Sequence, residues 1–271
     1  MVLVSGICEE KFSLVSDAFK SNFDAGDELG ASAAVTVDGK SVVDIWAGSR
    51  ISTGDEWRED TIVNVYSTTK TMASMCMLML ADRGLIDFAK PVRDYWPEFA
   101  ANGKDEVLVS HVMSHQTGCS GFPQTITTAQ LYDHDFCANL LAEMTPWWKP
   151  GSAPGYHAIT QGTLQGELLR RVDGRTLGKF FQEEVAAPLG ADFHIGLPST
   201  EYDRVAELDP PEKSIDQIVE VEPDSIAAKT FKSCVLDGTE TGTTAWREAE
   251  IPAAGGIGNA RSISRVHSVL A

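Results

Sequence analysis

Apolar residues recur along this chain in several rhythms, and each predicts a different kind of element. Phe12, Val15, Ala18, Phe19 and Phe23 fall at three- and four-residue spacing, the period of a helix with one buried face. Residues 31–37 and 41–46 read as two strands joined at Asp38-Gly39, a pair that favours the tight turn of a hairpin. Between Met72 and Ala81 nearly every position is apolar, and Asp82-Arg83-Gly84 follows as a polar, glycine-closed end. A helix apolar on every face belongs in a core, and Gly84 is a credible stop.

Beyond this, Pro91, Pro97 and Gly103 punctuate a loop-rich region with a short helix at 107–113, and a longer helix is predicted at 129–144. Trp147-Trp148-Lys149-Pro150-Gly151 breaks the chain before a helix at 159–172, where Gly162 and Gly166 would let another backbone approach closely. Asp173-Gly174 turns the chain, Thr176 caps a helix through Val185, and Pro188 lies beyond it. Residues 253–260 form a glycine loop, and Ser262 caps a last helix to Ala271. No internal repeat is found. A lone hairpin is not a stable sheet, yet no convincing set of partner strands follows it. Either the acidic stretch 201–224 hides strands or the chain stops before they arrive. That stretch reads as a long irregular surface excursion, a lid or a wall of a cleft.

At 271 residues and 43% apolar content the chain holds enough for one large domain or two interleaved lobes. No segment approaches eighteen uncharged apolar residues, so no membrane span is expected. Met1-Val2-Leu3-Val4-Ser5-Gly6 lacks a basic start and a full apolar run, so no secretory signal is read. Five cysteines without C-x-x-C spacing argue against a disulfide framework or zinc knuckle. Together these point to a reducing, cytoplasmic setting. A net charge of −17 repels nucleic acid and anionic lipid, which removes both as expected partners.

The candidate chemistry is concentrated at Ser67-Thr68-Thr69-Lys70. Ile62-Val63-Asn64-Val65-Tyr66, a short β-branched and aromatic run, stands before it, and the apolar helix stands behind. A serine three residues before a lysine shares its helix face, so hydroxyl and amine can meet. Burial, and the positive end of the helix dipole, both favour a neutral lysine able to take the serine proton. About one such spacing is expected by chance in a chain of this length, so context carries the weight. Competing signals are weaker. Gly118-Cys119-Ser120-Gly121 has the wrong last spacing for a nucleophile elbow, follows a predicted helix, and reads as a loop on a cleft rim. His111 and His115 are four apart, but Val112 stands where a zinc protease helix needs glutamate; the pair reads as structural. His134, between Asp133 and Asp135, reads as a solvated turn.

Ser67-Thr68-Thr69-Lys70, Tyr156 after a Trp-x-Pro-Gly loop, and Pro252-Ala253-Ala254-Gly255-Gly256-Ile257-Gly258 before a last helix occur in a telling order. The chain resembles the serine β-lactamase and penicillin-binding-protein superfamily, most closely its class C β-lactamase-like esterases, the family VIII carboxylesterases. Segments 156–162 and 188–198 look typical of the esterase branch. The resemblance implies an α/β (α+β) fold in which a helical lobe packs against an antiparallel sheet flanked by helices, with the hairpin as two of its strands. Residues 1–66 would supply the first helix and strands of the α/β lobe. Residues 67–250 would form the mainly helical lobe with the catalytic helix and acidic excursion, and 251–271 would return to the α/β lobe.

The resemblance also implies that Ser67 is the acylated nucleophile and that Lys70 and Tyr156 are its base partners. The pair would hold a shared proton, which the phenol later returns to the leaving alcohol. The Ser67 amide would supply one oxyanion donor. No cofactor and no metal are implied. The substrate the resemblance implies is a small-molecule ester, with weak β-lactam hydrolysis as an expected side activity. The alternatives are a true β-lactamase or D-alanyl peptidase, or a non-catalytic scaffold or fragment of the same fold. Two departures matter. The family's Tyr-x-Asn reads Tyr156-His157-Ala158, which removes an amide-recognising side chain and favours plain esters. The third motif, Lys-Thr-Gly or His-x-Gly, lies on a strand after the glycine loop and carries the second oxyanion amide, but this chain reaches Ala271 first. His194-Ile195-Gly196 and Glu240-Thr241-Gly242 come too early to serve. The expectation is an N-terminal part of a longer protein whose C-terminal strands are missing here.

Overall fold

The computed structural model describes residues 2–52, 54–209 and 222–271. Strand β1 (Ser5–Cys8) leads into α1 (Ser13–Ala25), and the hairpin follows as β2 (Gly30–Val37) and β3 (Lys40–Gly48). Asp38 and Gly39 take φ of 48° and 73°, the pair of positive angles that a tight hairpin turn requires. The three strands form one antiparallel sheet in the order β1-β3-β2, with Ser5 opposite Trp46 and Gly30 opposite Gly48. Phe12, Val15 and Phe19, on the apolar stripe of α1 and its lead-in, pack with Val4 and Val35 on Val42, Val43 and Ile45.

The chain then forms β4 (Ile62–Asn64), a single 3-10 turn at Tyr66–Thr68, and α2 (Thr69–Asp82). Helices α3 (Val109–Met113), α4 (Thr128–Leu131), α5 (His134–Glu143), α6 (Thr160–Asp173), α7 (Leu177–Phe181) and α8 (Ala187–Leu189) come next. Then follow β5 (Phe193–Ile195), β6 (Val205–Ala206), α9 (Ile226–Ser233), α10 (Thr244–Glu248), β7 (Gly256–Gly258) and α11 (Ala260–His267). A second sheet runs β5-β7-β4-β6, antiparallel except for the parallel pair β4–β6. Helix α2 lies in the main core, where Met72, Met77 and Leu80 are buried with Leu164, Leu168, Phe180 and Phe181. Each such side chain contributes about 1.5–3 kcal/mol by leaving water. No helix of the described residues is long and apolar enough to cross a membrane.

The mixed fold and most predicted elements stand, with several corrections. Strands do follow the hairpin: β6 lies in the acidic stretch, whose residues 210–221 fall outside the described ones. Among the described residues the hairpin pairs with β1, and β4–β7 form a second sheet. The glycine loop holds a short strand, β7, at Gly256–Gly258. It hides in the sequence because its glycines answer to packing: a Cβ on Gly256 would lie 2.5 Å from Thr69 Oγ1 and 2.6 Å from Phe193. The long helix at 129–144 is two helices, because the Asp133 carboxylate accepts the Phe136 amide (2.9 Å) and starts a new one. Helix α11 is capped by Asn259, which accepts from the Ser262 amide, and not by Ser262. The helix capped by Thr176 continues through a π turn at Gln182–Ala186 into α8, which includes Pro188. The wider turn comes just before the residue that has no N–H to give. Close approach at Gly162 is confirmed: a Cβ there would meet Ala253 N at 2.5 Å.

Candidate active site

Position 67 is set by a join between sheet and helix. Where β4 ends, the Val65 amide donates to Gly256 O of β7 (2.9 Å). Tyr66 then takes φ of 42°, in the left-handed region that non-glycine residues avoid, and Ser67 follows in the 3-10 turn. Thr69, fully buried, locks the join: its hydroxyl donates to Tyr66 O (2.5 Å) and accepts from the Gly256 amide (2.8 Å). Ser67 therefore precedes the regular helix, which opens at Thr69, and its side chain is exposed while those of Thr69 and Lys70 are buried. The Ser67 amide sits in a first helical turn, where N–H groups have no intrahelical acceptor.

Lys70 meets Ser67 as the spacing predicts. Its Nζ lies 3.1 Å from Ser67 Oγ and donates to the carbonyls of Ala158 (2.7 Å) and Ala253 (2.8 Å). The lysine is 7% exposed, and burial lowers its pKa to about 8. Tyr156, which the family resemblance implies, arrives at the same atom: its hydroxyl donates to Ser67 Oγ at 2.6 Å. The Lys70 ammonium lies 5.0 Å from the centre of the Tyr156 ring. All three predicted residues thus converge on one oxygen.

Other residues join them that the sequence pattern does not place at this site. The carbonyls of Ala158 and Ala253 have no sequence signature, since any residue supplies one. Thr69 lies inside the Ser67–Lys70 motif, where its buried face is the available signal. His115 packs against Tyr156, ring centres 5.1 Å apart, and His157 lies 5.4 Å from His115. His157 is fully buried. Its Nδ1–H donates to Gly155 O (2.5 Å), and its Nε2 accepts from the Thr117 hydroxyl (2.6 Å). Burial drives its pKa down to about 4, with the Gly155 bond opposing and His115 and Lys70 assisting, so the ring is neutral near pH 7.

The weaker signals resolve in different ways. His111 Nδ1 accepts from the Leu108 amide (3.2 Å), a structural bond at the start of α3. His134 is not a solvated turn: it bonds Glu167 Oε2 at 3.1 Å. Burial pushes the Glu167 carboxyl up, but His134, Arg171 and Arg170 outweigh it and hold it at about 2. The loop at Gly118-Cys119-Ser120-Gly121 is buried and not on a rim, with Ser120 Oγ bonded to Thr230 Oγ1 (2.6 Å). His194 lies on β5 and bonds Asp192 (3.1 Å), while Glu240 bonds Tyr132 (3.4 Å), so neither mimic of the third motif reaches Ser67 in these bonds.

Residues 17–271 match the Beta-lactamase family, and the chain belongs to it. It is 36% identical to "Esterase/beta-lactamase LipL" of Mycobacterium tuberculosis over 99% of this chain and 64% of that protein. The chain thus spans just under two thirds of this curated relative's length. Among solved structures it is similar to a family VIII carboxylesterase, at 43% identity and a TM-score of 0.89. It is also similar to a penicillin-binding protein homolog from Caulobacter crescentus, at 38% identity and a TM-score of 0.90. Each alignment covers 99% of this chain and 71% of the solved one.

Proposed function

We propose that the protein is a serine carboxylesterase that hydrolyses short-chain esters of small molecules through an acyl-enzyme on Ser67. The observation that carries this reading is the bonding at Lys70 Nζ. Two of its three contacts are carbonyl oxygens, which only accept, so both consume N–H donors. A neutral amine has two N–H groups and one lone pair, and the remaining direction is that of Ser67 Oγ. Deprotonated Lys70 therefore turns its lone pair on the serine hydroxyl, and a pKa near 8 makes that form available close to neutrality.

In this mechanism Ser67 Oγ attacks the ester carbonyl carbon as its proton passes to Lys70 Nζ. Tyr156, already donating to Oγ, stabilises the charge that develops there, and the Ser67 amide faces the oxyanion. Collapse breaks the bond to the alcohol oxygen, which takes a proton from the Tyr156 hydroxyl, and Lys70 restores that proton. Water then attacks the acyl group with the same residues as base, releasing the acid and the serine. Ala158 presents a methyl group where the amide-binding Asn of the family would stand, which supports esters over lactams. The likeness to LipL and to the family VIII carboxylesterase supports the same class. The cysteines at 8, 76, 119, 137 and 234 are free thiols, which supports a reducing compartment such as the cytoplasm.

The test is incubation with p-nitrophenyl butyrate followed by peptide mass spectrometry. A butyryl adduct is expected on the peptide containing Ser67 and is expected to vanish in Ser67→Ala. An adduct that persists in that variant, or that maps to Ser120, would falsify the reading.

A further inference from the structure

Tyr156 has to hold its hydroxyl on Ser67 Oγ although nearly half of it, 47%, is open to solvent. Burial alone does not fix such a side chain, and a misplacement of about 1 Å can cost on the order of a hundredfold in rate. The neighbouring structure supplies a different restraint. The His115 carbonyl accepts from the Gly155 amide (2.9 Å), and His115 Nδ1 accepts from the His157 amide (3.1 Å). One residue thus grips the chain on both sides of Tyr156, and its ring also packs on the phenol ring between those two bonds.

The rest of the same loop extends the grip. Gln116 O accepts from the Gly151 amide (2.9 Å), Gly118 O accepts from the Trp147 amide (2.7 Å), and the Thr117 hydroxyl donates to His157 Nε2. Since Nδ1 of His115 accepts, its neutral ring carries the proton on Nε2. Burial and the nearby Lys70 charge both lower its pKa, which preserves that acceptor. The backbone adds a separate argument. His115 has φ of 60°, in the left-handed region that few non-glycine residues occupy. A backbone angle this uncommon, beside a candidate nucleophile, draws attention to what the side chain touches.

We propose that His115 is the positioning residue of Tyr156, holding the phenol on Ser67 through its ring contact and its two bonds to the flanking peptides. This rests on the reading of Tyr156 as the proton carrier of an ester hydrolase, and the test separates the two. His115→Asn keeps a side-chain acceptor and suits the positive φ, but it removes the ring. With p-nitrophenyl butyrate, kcat is expected to fall about tenfold or more while KM stays within about threefold and Tm is little changed. In the Tyr156→Phe background the same substitution is expected to change kcat less than about twofold, because the hydroxyl being positioned is already gone. Equal losses in both backgrounds, or a parental kcat in the single variant, overturn the inference. If His115→Asn does not fold, His115→Phe, which keeps a ring and loses the acceptor, is read in the same cycle by the same criterion. A parental kcat in Tyr156→Phe instead overturns the role of Tyr156 itself, whatever the His115 variants do.

Discussion

Lys70 and Lys104 are both withdrawn from water, and both give N–H bonds to two main-chain carbonyls. Lys104 donates to Ala101 O (2.8 Å) and Met144 O, tying the segment Pro97–Gly103 to the end of α5. Lys70 donates to Ala158 O and Ala253 O, tying the head of α2 to the segments beside α6 and β7. Burial lowers the pKa of each. The difference lies in the remaining neighbour. Each faces an aromatic ring, Phe99 at 5.3 Å and Tyr156 at 5.0 Å, but Lys70 also meets the exposed hydroxyl of Ser67. Desolvation alone makes a lysine that stitches two segments together. A nucleophile that substrate can reach is what turns the same arrangement into a candidate base.

Removing each amine breaks this comparison most sharply. Lys70→Met is expected to reduce ester turnover about 1,000-fold, whereas Lys104→Met leaves kcat per folded molecule within about twofold. The pH–rate profile sharpens it: kcat/KM should rise about tenfold per pH unit below 8 and level off above, since the neutral amine is the base. That limb should persist in Lys104→Met. A flat profile between pH 6 and 9 would exclude Lys70 as the base.

Stability should respond at a smaller scale. Folded Lys70 releases its proton near pH 8, and the unfolded chain does so near 10.4. Between these values the unfolded state holds more protons, so stability rises with pH. The gain amounts to about 3 kcal/mol across that window. Urea titrations at pH 7.5 and 10.5 should show that rise in the parent relative to Lys70→Met. Lys104→Met leaves two buried carbonyls without their donor and is expected to cost about 2 kcal/mol, read from the urea midpoint at pH 7. Thr69→Val, which deletes the bonds to Tyr66 O and the Gly256 amide, should cost about 1–2 kcal/mol by the same measurement. Unchanged stability there would mean that the sheet–helix join holds without the threonine.

The comparison also shows which features are legible in the chain. Ser67 and Lys70 can be read because their meeting is local: three residues across the 3-10 turn that leads into α2 set the distance. Gly103-Lys104-Asp105-Glu106, by contrast, has the appearance of a charged surface turn; of the four only Lys104 is buried, against the end of α5 and Phe99, and nothing in the local pattern announces that. The hairpin was legible through Asp38-Gly39, yet β7 was not. A strand of Gly256, Ile257 and Gly258 carries almost no side-chain alternation, and its glycines are explained by Phe193 and Thr69 pressing on it. Tyr156 stands out only through the family resemblance, because its 89-residue separation from Ser67 has no periodic meaning. In the sequence His115 pairs by spacing with His111, though its partners in the structure are Tyr156 and His157.

By itself the sequence determined what short-range physics controls: the amphipathic α1, the hairpin turn, the apolar α2, and a serine and lysine one helical turn apart. Tertiary structure decided everything that requires one segment to find another. It brought the carbonyls of Ala158 and Ala253 to Lys70, lowered that amine's pKa by enclosing it, set the Tyr156 hydroxyl on Ser67, and gave His115 its hold on the peptides around that tyrosine. Backbone carbonyls and amides are the same in every residue, so no pattern of side chains announces where they will be used.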